Sequence, residues 1–490
     1  MIRKVSIKLD ELEINHSVPY LLLAAITLLA VILRFYNLGV WSFWFDEIST
    51  INRAHAFYSG LESVIHNLPP AGNSVPLSVI FTGLVLNGLG TSEWSARLAP
   101  AVIGVISVPA LYFPIRREFG TRVGLIAALL LAIAPWHIEW SQNARFYTSL
   151  MLLYNLALFA FFYAVERDRP GYILPFLLLL YLAMSERMIA LMITPVVLSY
   201  LIFLRILPFE KPPGLRTRNL LIILLPAIVF GIYEIYGSIS IGNSRILDTY
   251  LVFSPNRGPD SLRLLSFIVF NLGIPLVCLG FFAGIYLLTQ KSRSGLFFFL
   301  GAVVPIGLLL LANPFLYTDE RYAFITLPSW IILGALAIKE IFSETGSQGK
   351  VLVIGVMVLL LADAAYGNLM YFHVNNGNRL DWRSAYEQIQ ERMEDGDLFV
   401  SYWPALGAYY MGQEVLSLRE VKLDLVIGSG KRVWFVIDKF AAWSALKKSQ
   451  WVTKNAELID VMYLRRQSDS QLRIFLYDPL HSKGIEQGAK

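Results

Sequence analysis

The sequence predicts a polytopic α-helical membrane protein with about 11 transmembrane helices, in-plane helices in the first outer loop, and a small C-terminal α/β domain on the outer face. Three observations lead there. Of 490 residues, 56% are hydrophobic and 16% charged, where a soluble domain carries roughly 25% charge. The apolar residues fall in blocks of about twenty, the length that crosses ~30 Å of hydrocarbon as helix. After about residue 368 the composition changes to alternating strand-like and helical stretches. A soluble enzyme is excluded. The single cysteine, Cys278, sits in an apolar block, so an intrachain disulfide and a thiolate metal cluster are excluded too. A net charge of +5 spread over this many helix ends reads as a topology signal, so nucleic acid is not expected as a partner.

The first span runs from Val18 to Leu33, behind Arg3, Lys4 and Lys8 and without a small-residue cleavage site after it. It reads as an uncleaved signal anchor with a cytoplasmic N-terminus. Further spans are expected at about 98–115, 123–138, 147–165, 171–184, 188–204, 220–237, 264–288, 296–312, 323–338 and 351–367. The stretch from Val75 to Leu89 is short and broken by Pro76, Gly83 and Gly88. Charge argues that it lies in-plane or re-entrant. With eleven spans, Arg116, Arg117, Arg167, Arg169, Lys211, Lys291, Arg293 and Lys339 all fall in cytoplasmic loops, and a twelfth crossing would place them all outside. The same parity puts the chain beyond Asn368 on the outer, extracytoplasmic face.

In the first outer loop, WFDEISTINRAHAFYSGLESVI carries Ile48, Ile51, Ala54, Phe57 and Tyr58 at helical spacing, as in an amphipathic helix on the bilayer surface. The polar loop 238–263 is long enough for a lid or binding segment. In the tail, DWRSAYEQIQERMEDGD reads as a helix ended by Gly396. LFVSY, RVWFVID, ELIDVMYL and QLRIFLYD read as strands of a domain over about 377–479, with a frayed end at 481–490.

The residues that could carry chemistry gather at the outer helix ends. Asp46 and Glu47 follow Trp41, Trp44 and Phe45 at the mouth of the membrane. Carboxylates beside aromatic rings can serve as general bases, and a pair could hold a divalent cation; an equally good reading makes Asp46 a helix cap and Glu47 a first-turn acid. PWHIEWSQNARFYTSLML places His137, Glu139, Arg145 and Tyr147 near the same surface, and later segments add Arg187, Asp319, Glu320 and Arg321. Ionisable groups at such depth mark function by default, although Glu139 and Arg145 could simply pair. The outer basic residues before the tail are all arginine, whose planar fork grips phosphate.

W-x-x-W-F-D-E after the first span, G-T-S-E-W-S-A-R-L-A-P at 90–100, S-Q-N-A-R-F-Y at 141–147 and E-R-Y followed by Pro328 resemble, in that order, a known family. It is that of the family 39 and aminoarabinose-transferase-like glycosyltransferases, which use polyprenyl-phosphate sugars and have the C-type membrane fold; protein O-mannosyltransferases are related. The resemblance covers about 18–345 and makes 1–368 the glycosyltransferase domain and 369–490 the outer-face domain. It implies transfer of a hexosyl or pentosyl unit from a polyprenyl-phosphate donor to a lipid, glycan or protein acceptor at the outer side of the bilayer, with inversion at the anomeric carbon. It also implies that Asp46, with Glu47 beside it, acts on the acceptor nucleophile, and that Arg97, Arg145 and Arg321 hold the donor phosphate. His137, Glu139, Tyr147, Arg187 and Glu320 are further candidate substrate contacts. No cofactor is required by this reading; a divalent metal, if used, would fall to Asp46 and Glu47.

Two departures stand out. Many relatives carry His-Pro-Pro-Leu where this chain has Ser74-Val75-Pro76-Leu77, so a histidine role there does not carry over. No acid stands at Phe146 to Thr148, where some relatives have a second one; Glu139 is the nearest substitute. The rival from another class is a polytopic lipid or glycolipid transporter or flippase, because polar groups in a helical bundle also mark substrate paths. Against it, the charges cluster at one face and the two halves show no repeat.

Overall fold

The structure is a computed structural model that describes residues 17–60, 76–216, 218–223, 260–316, 318–344, 346–464 and 467–482. Most of the span expected at about 220–237, the loop up to 259 and the last eight residues lie outside them. Two compact units emerge. One comprises Met1–Tyr36, Gly60–Phe81 and Ala99–Gly367; the other comprises Asn37–Ser59, Thr82–Leu98 and Asn368–Lys490.

The first unit is helical. In chain order the helices up to residue 369 are α1 (Val18–Phe35), α2 (Phe45–Ser59, in the second unit), α3 (Leu77–Leu89) and α4 (Glu93–Phe119), each divided between the two units, α5 (Thr121–Ile133), α6 (Pro135–Ser141), α7 (Tyr147–Glu166), α8 (Ile173–Glu186), α9 (Ile193–Ile206), α10 (Ser261–Leu272), α11 (Ile274–Thr289), α12 (Arg293–Ala312), α13 (Leu327–Glu344) and α14 (Gly346–Leu369). Among the described residues, seven helices are long and apolar enough to cross a membrane, and two bent pairs raise the number to nine. The bends have local causes. Pro135 cannot continue α5 and pushes Ala134 to an extended conformation, so α6 departs at 59°. Gly273 adopts φ +94° and Pro275 follows, so α10 and α11 meet at 96° where the sequence predicted one span over about 264–288.

Of the segment singled out at 75–89, Leu77–Leu89 forms α3, a helix of 13 residues, about 20 Å long and so shorter than the hydrocarbon thickness. Glu186 meets its N-terminus, accepting from Ser78 N at 2.9 Å and Ser78 Oγ at 2.6 Å, where the orphan N–H groups and the dipole favour a carboxylate. At the centre of this unit α7 is buried along most of its length. Its Phe161 and Phe162 pack on Phe297 of α12, which also meets Tyr200 of α9. Asn155 donates to the carbonyls of Met151 and Ile325 at 2.8 and 2.9 Å. In lipid, such packing and interhelical hydrogen bonds hold helices together.

The second unit contains α2, helix α15 (Trp382–Gln390) and a five-stranded sheet of β1 (Leu398–Ser401), β2 (Leu416–Ser417), β3 (Val433–Asp438), β4 (Glu457–Leu464) and β5 (Gln467–Tyr477), in the order β2-β1-β3-β5-β4. The β1–β2 and β1–β3 pairs are parallel and the two pairs made by β5 are antiparallel. Helices α16 (Pro404–Met411), α17 (Leu423–Gly428), α18 (Lys439–Ser444) and α19 (Leu446–Asn455) connect the strands. Every residue of β3 is buried, as in a central strand covered on both faces. Val433, Phe435 and Ile437 join Val400, Val452 and Phe475 in its core. Helix α2 buries Ile48, Ile51 and Ala54 of the stripe that its spacing predicted, and Phe57 and Tyr58 are half-buried.

Candidate active site

Asp46 and Glu47 are the second and third residues of α2, and their surroundings differ sharply. Glu47 is fully buried, whereas Asp46 is half-buried. Glu47 Oε1 accepts from Arg97 Nε at 2.8 Å; its Oε2 accepts from Arg97 Nη2 at 2.8 Å, Arg379 Nη1 at 2.9 Å and Trp44 N at 3.4 Å. The last contact is half of a capping box, in which the third helical residue reaches back to the N-cap. The helix-start role that sequence left open for this acid pair is therefore filled by Glu47.

Arg97 is equally committed. Beyond Glu47 it donates from Nη1 to the carbonyls of Leu38 at 3.2 Å and Trp41 at 2.9 Å, and from Nη2 to Ser42 O at 3.0 Å. A guanidinium has five N–H donors, and all five of these are used inside the protein. The Phe43 ring lies 5.3 Å from its Cζ. A cation already saturated in this way has nothing left to offer a lipid phosphate. Nor does Glu47, with two guanidiniums on its oxygens, fit as a metal ligand. Among the described residues no group of three or more His, Cys, Asp or Glu side chains converges as a metal site.

The tail of the chain completes this region. Arg379 is held by Nε donating to Gly377 O at 3.2 Å, and Gly377 has φ +61° with Trp41 where a Cβ would stand. Phe43 N donates to Tyr410 Oη at 2.6 Å, and Tyr410 donates in turn to Glu93 Oε1 at 3.0 Å. Burial and then the Glu93 carboxylate hold the Tyr410 phenol well above its ordinary pKa, so it keeps its proton for that bond. Arg383 Nη2 also reaches Glu93 Oε1, at 2.5 Å. Phe45 stacks on Trp403 with ring centroids 3.9 Å apart and planes 6° off parallel. Arg379, Tyr410 and Glu93 were not singled out from sequence. Glu93 stood in a quoted motif, but nothing local to Arg379 or Tyr410 signals their partners.

The other candidates sit in the first unit. Arg145 and Arg187 flank the Phe146 ring, with Cζ atoms 5.1 and 5.6 Å from its centroid. Arg321 pairs with Asp319 at 2.9 Å, and Asp319 caps the 3₁₀ turn Glu320–Thr326 through Arg321 N. Tyr147 is buried within electrostatic reach of Arg145, Asp319, Arg321 and Tyr322, and Tyr322 within reach of Arg187. The structure thus joins Arg145, Tyr147, Arg187 and Arg321 in one cluster, with Glu320 next to it in sequence. Glu139 is half-buried at the end of α6. His137 is fully buried, with Nδ1 2.7 Å from Arg34 Nη2, and Arg34 also donates to the carbonyls of Leu131 and Ala132. These contacts tie the two ends of the α5–α6 bend to α1, a structural use for His137.

Structures of known proteins share this fold. ArnT from Cupriavidus metallidurans in the apo state superposes with a TM-score of 0.58 at 13% identity, over 94% of this chain and 98% of that one. The same protein bound to undecaprenyl phosphate gives a TM-score of 0.56, with the same identity and coverage. This is the C-type membrane glycosyltransferase fold. The archaeal oligosaccharyltransferase AglB from Archaeoglobus fulgidus, in complex with an inhibitory peptide and a dolichol-phosphate, shares the fold at a TM-score of 0.54 and 14% identity, over 90% of this chain and 72% of that one. Residues 73–236 match the family model of dolichyl-phosphate-mannose-protein mannosyltransferases. No curated protein matches the sequence. The resemblance drawn from the sequence motifs to polyprenyl-phosphate-dependent C-type glycosyltransferases therefore holds.

Proposed function

We propose that the chain is a membrane glycosyltransferase that moves a sugar from a polyprenyl phosphate to an acceptor at the outer face of the bilayer. The observation that carries this reading is the match of nearly the whole chain to a fold whose solved members include one bound to undecaprenyl phosphate. The arginine cluster supplies the chemistry for such a donor. In the reaction an acceptor hydroxyl attacks the anomeric carbon, its proton passes to Asp46, and the anomeric C–O bond breaks with its electron pair leaving on the polyprenyl phosphate. Attack opposite the leaving group inverts the anomeric centre. Arg145, Arg187 and Arg321 bind the donor phosphate and stabilise the charge that it gains on leaving. Asp319 positions Arg321. Arg97 serves Glu47 instead of the phosphate, and the pair fixes the helix that carries Asp46.

The test uses purified full-length protein in lipid, a panel of undecaprenyl- and dolichyl-phosphate sugars, and the variants Asp46→Asn and Arg321→Ala. Asp46→Asn is expected to lose ~10²–10⁴-fold in transfer while still binding donor, and Arg321→Ala to lose both binding and turnover. Specific lipid binding by wild type with no turnover of any donor would overturn the reading in favour of transport.

A further inference from the structure

At the end of α7 opposite the arginine cluster lies a cavity of about 370 Å³, lined by Glu118, Glu166, Arg167, Glu210, Lys291 and Arg293 among others. Tyr147 begins the 20-residue helix α7 and Glu166 ends it, so the two places stand roughly 30 Å apart. The lining comes from helix ends: Glu118 closes α4, Glu166 closes α7, Glu210 follows α9 and Arg293 opens α12. These are the positions where membrane helices meet the headgroup layer.

The charges divide unequally in their commitments. Arg167 grips Glu118 with Nε at 3.1 Å and Nη2 at 2.7 Å, and Ser294 Oγ donates to the same carboxylate at 2.9 Å. Glu166 accepts from Arg293 Nε at 2.8 Å and from the Tyr200 hydroxyl. Arg293 Nη1 also donates to Glu210 O at 3.0 Å. Both deep acids are thereby neutralised, although Arg167 and Arg293 keep unused N–H groups. What remains is one cation and one anion: among the described residues the Lys291 ammonium and the Glu210 carboxylate form no ion pair, with each other or with anything else. The cavity also touches the N-terminus of the 20-residue helix α12, whose dipole favours a negative group. Phe162 and Pro208 complete its wall with apolar surface.

We propose that this cavity holds the headgroup of a zwitterionic phospholipid. The phosphodiester meets Lys291, the spare guanidinium donors and the start of α12; the ammonium meets Glu210. An anionic headgroup would leave Glu210 opposed to its charge, and a soluble phosphate would leave the apolar wall and the bilayer position unexplained. The site is independent of the transfer reaction and stands even if that reading fails.

The test is native mass spectrometry of the delipidated full chain in mixed micelles containing phosphatidylethanolamine and phosphatidylglycerol in equal amounts. Wild type is expected to retain phosphatidylethanolamine at least fivefold over phosphatidylglycerol. Lys291→Gln and Glu210→Gln should each abolish that preference at an unchanged melting temperature, and Lys291→Arg should keep it. Equal or greater retention of phosphatidylglycerol, or variants that both retain lipid as wild type does, would overturn the proposal. In a parallel arm with soluble phosphoethanolamine, weak or absent binding is expected; binding as tight as the lipid's would sink the lipid assignment.

Discussion

A buried carboxylate that accepts from two guanidiniums is held in its charged form by neighbours that would be stranded without it. Removing one partner of such a set leaves an uncompensated buried charge, at a cost of roughly 3–5 kcal/mol. Glu47→Gln and Arg97→Ala are therefore expected to lower the unfolding temperature of the purified protein, and Arg97→Lys to fall almost as far, because an ammonium has three donors for a site that uses five. An unfolding curve in detergent, with Asp46→Asn as the comparison, checks this; an Arg97→Lys protein as stable as wild type would count against the five-donor account. Adjacent in sequence, Asp46 and Glu47 were open to the same two readings. Their division of labour was illegible there because it depends on Arg379, 332 residues away. The same holds for Arg97, which a motif marked for phosphate and the fold uses as a rivet.

Helix α18 and strand β3 meet at Asp438, whose Oδ1 accepts from Ala441 N at 2.7 Å and whose Oδ2 accepts from Trp403 Nε1 at 3.0 Å. That tryptophan is the one stacked on Phe45, next to Asp46. Burial raises the Asp438 pKa above the ordinary value, against the pull of these bonds. The unfolded aspartate titrates near about 3.9, so between that pH and the folded value unfolding releases a proton. Stability contributed by this group is present at low pH, falls as pH rises through that window, and levels off above it. Thermal unfolding followed by tryptophan fluorescence should show this slope in wild type and not in Asp438→Asn. Most elements were legible in sequence. The long strands of the tail came out as expected because runs of β-branched and aromatic residues between turns are a strong signal, and the first part of the α2 stripe did so by its helical spacing, whereas β2 is two residues long and carries no such signal. The bend at Gly273 escaped notice because an apolar block reports hydrophobicity and not direction.

At the scale of the whole molecule, the first-loop segments 37–59 and 82–98 belong to the same compact unit as the tail. Removing residues 377–490 is then expected to abolish transfer to every acceptor, since it takes away Arg379, Tyr410 and Trp403 from the helix that bears Asp46. Assaying the truncated protein with several acceptors checks this; a truncation that transfers normally to even one of them would show the tail to be a specificity module alone. Sequence composition placed the tail as a separate domain because it marks where the apolar blocks stop, but composition cannot show which earlier loop the tail folds with. The long reach between Glu47 and Arg379 has a consequence for biosynthesis. At about 5–20 residues per second, a ribosome needs roughly 20–60 s to travel from one to the other. During that interval the helix carrying Asp46 lacks the Arg379 contact to Glu47, so its second clamp closes only after the tail has been made.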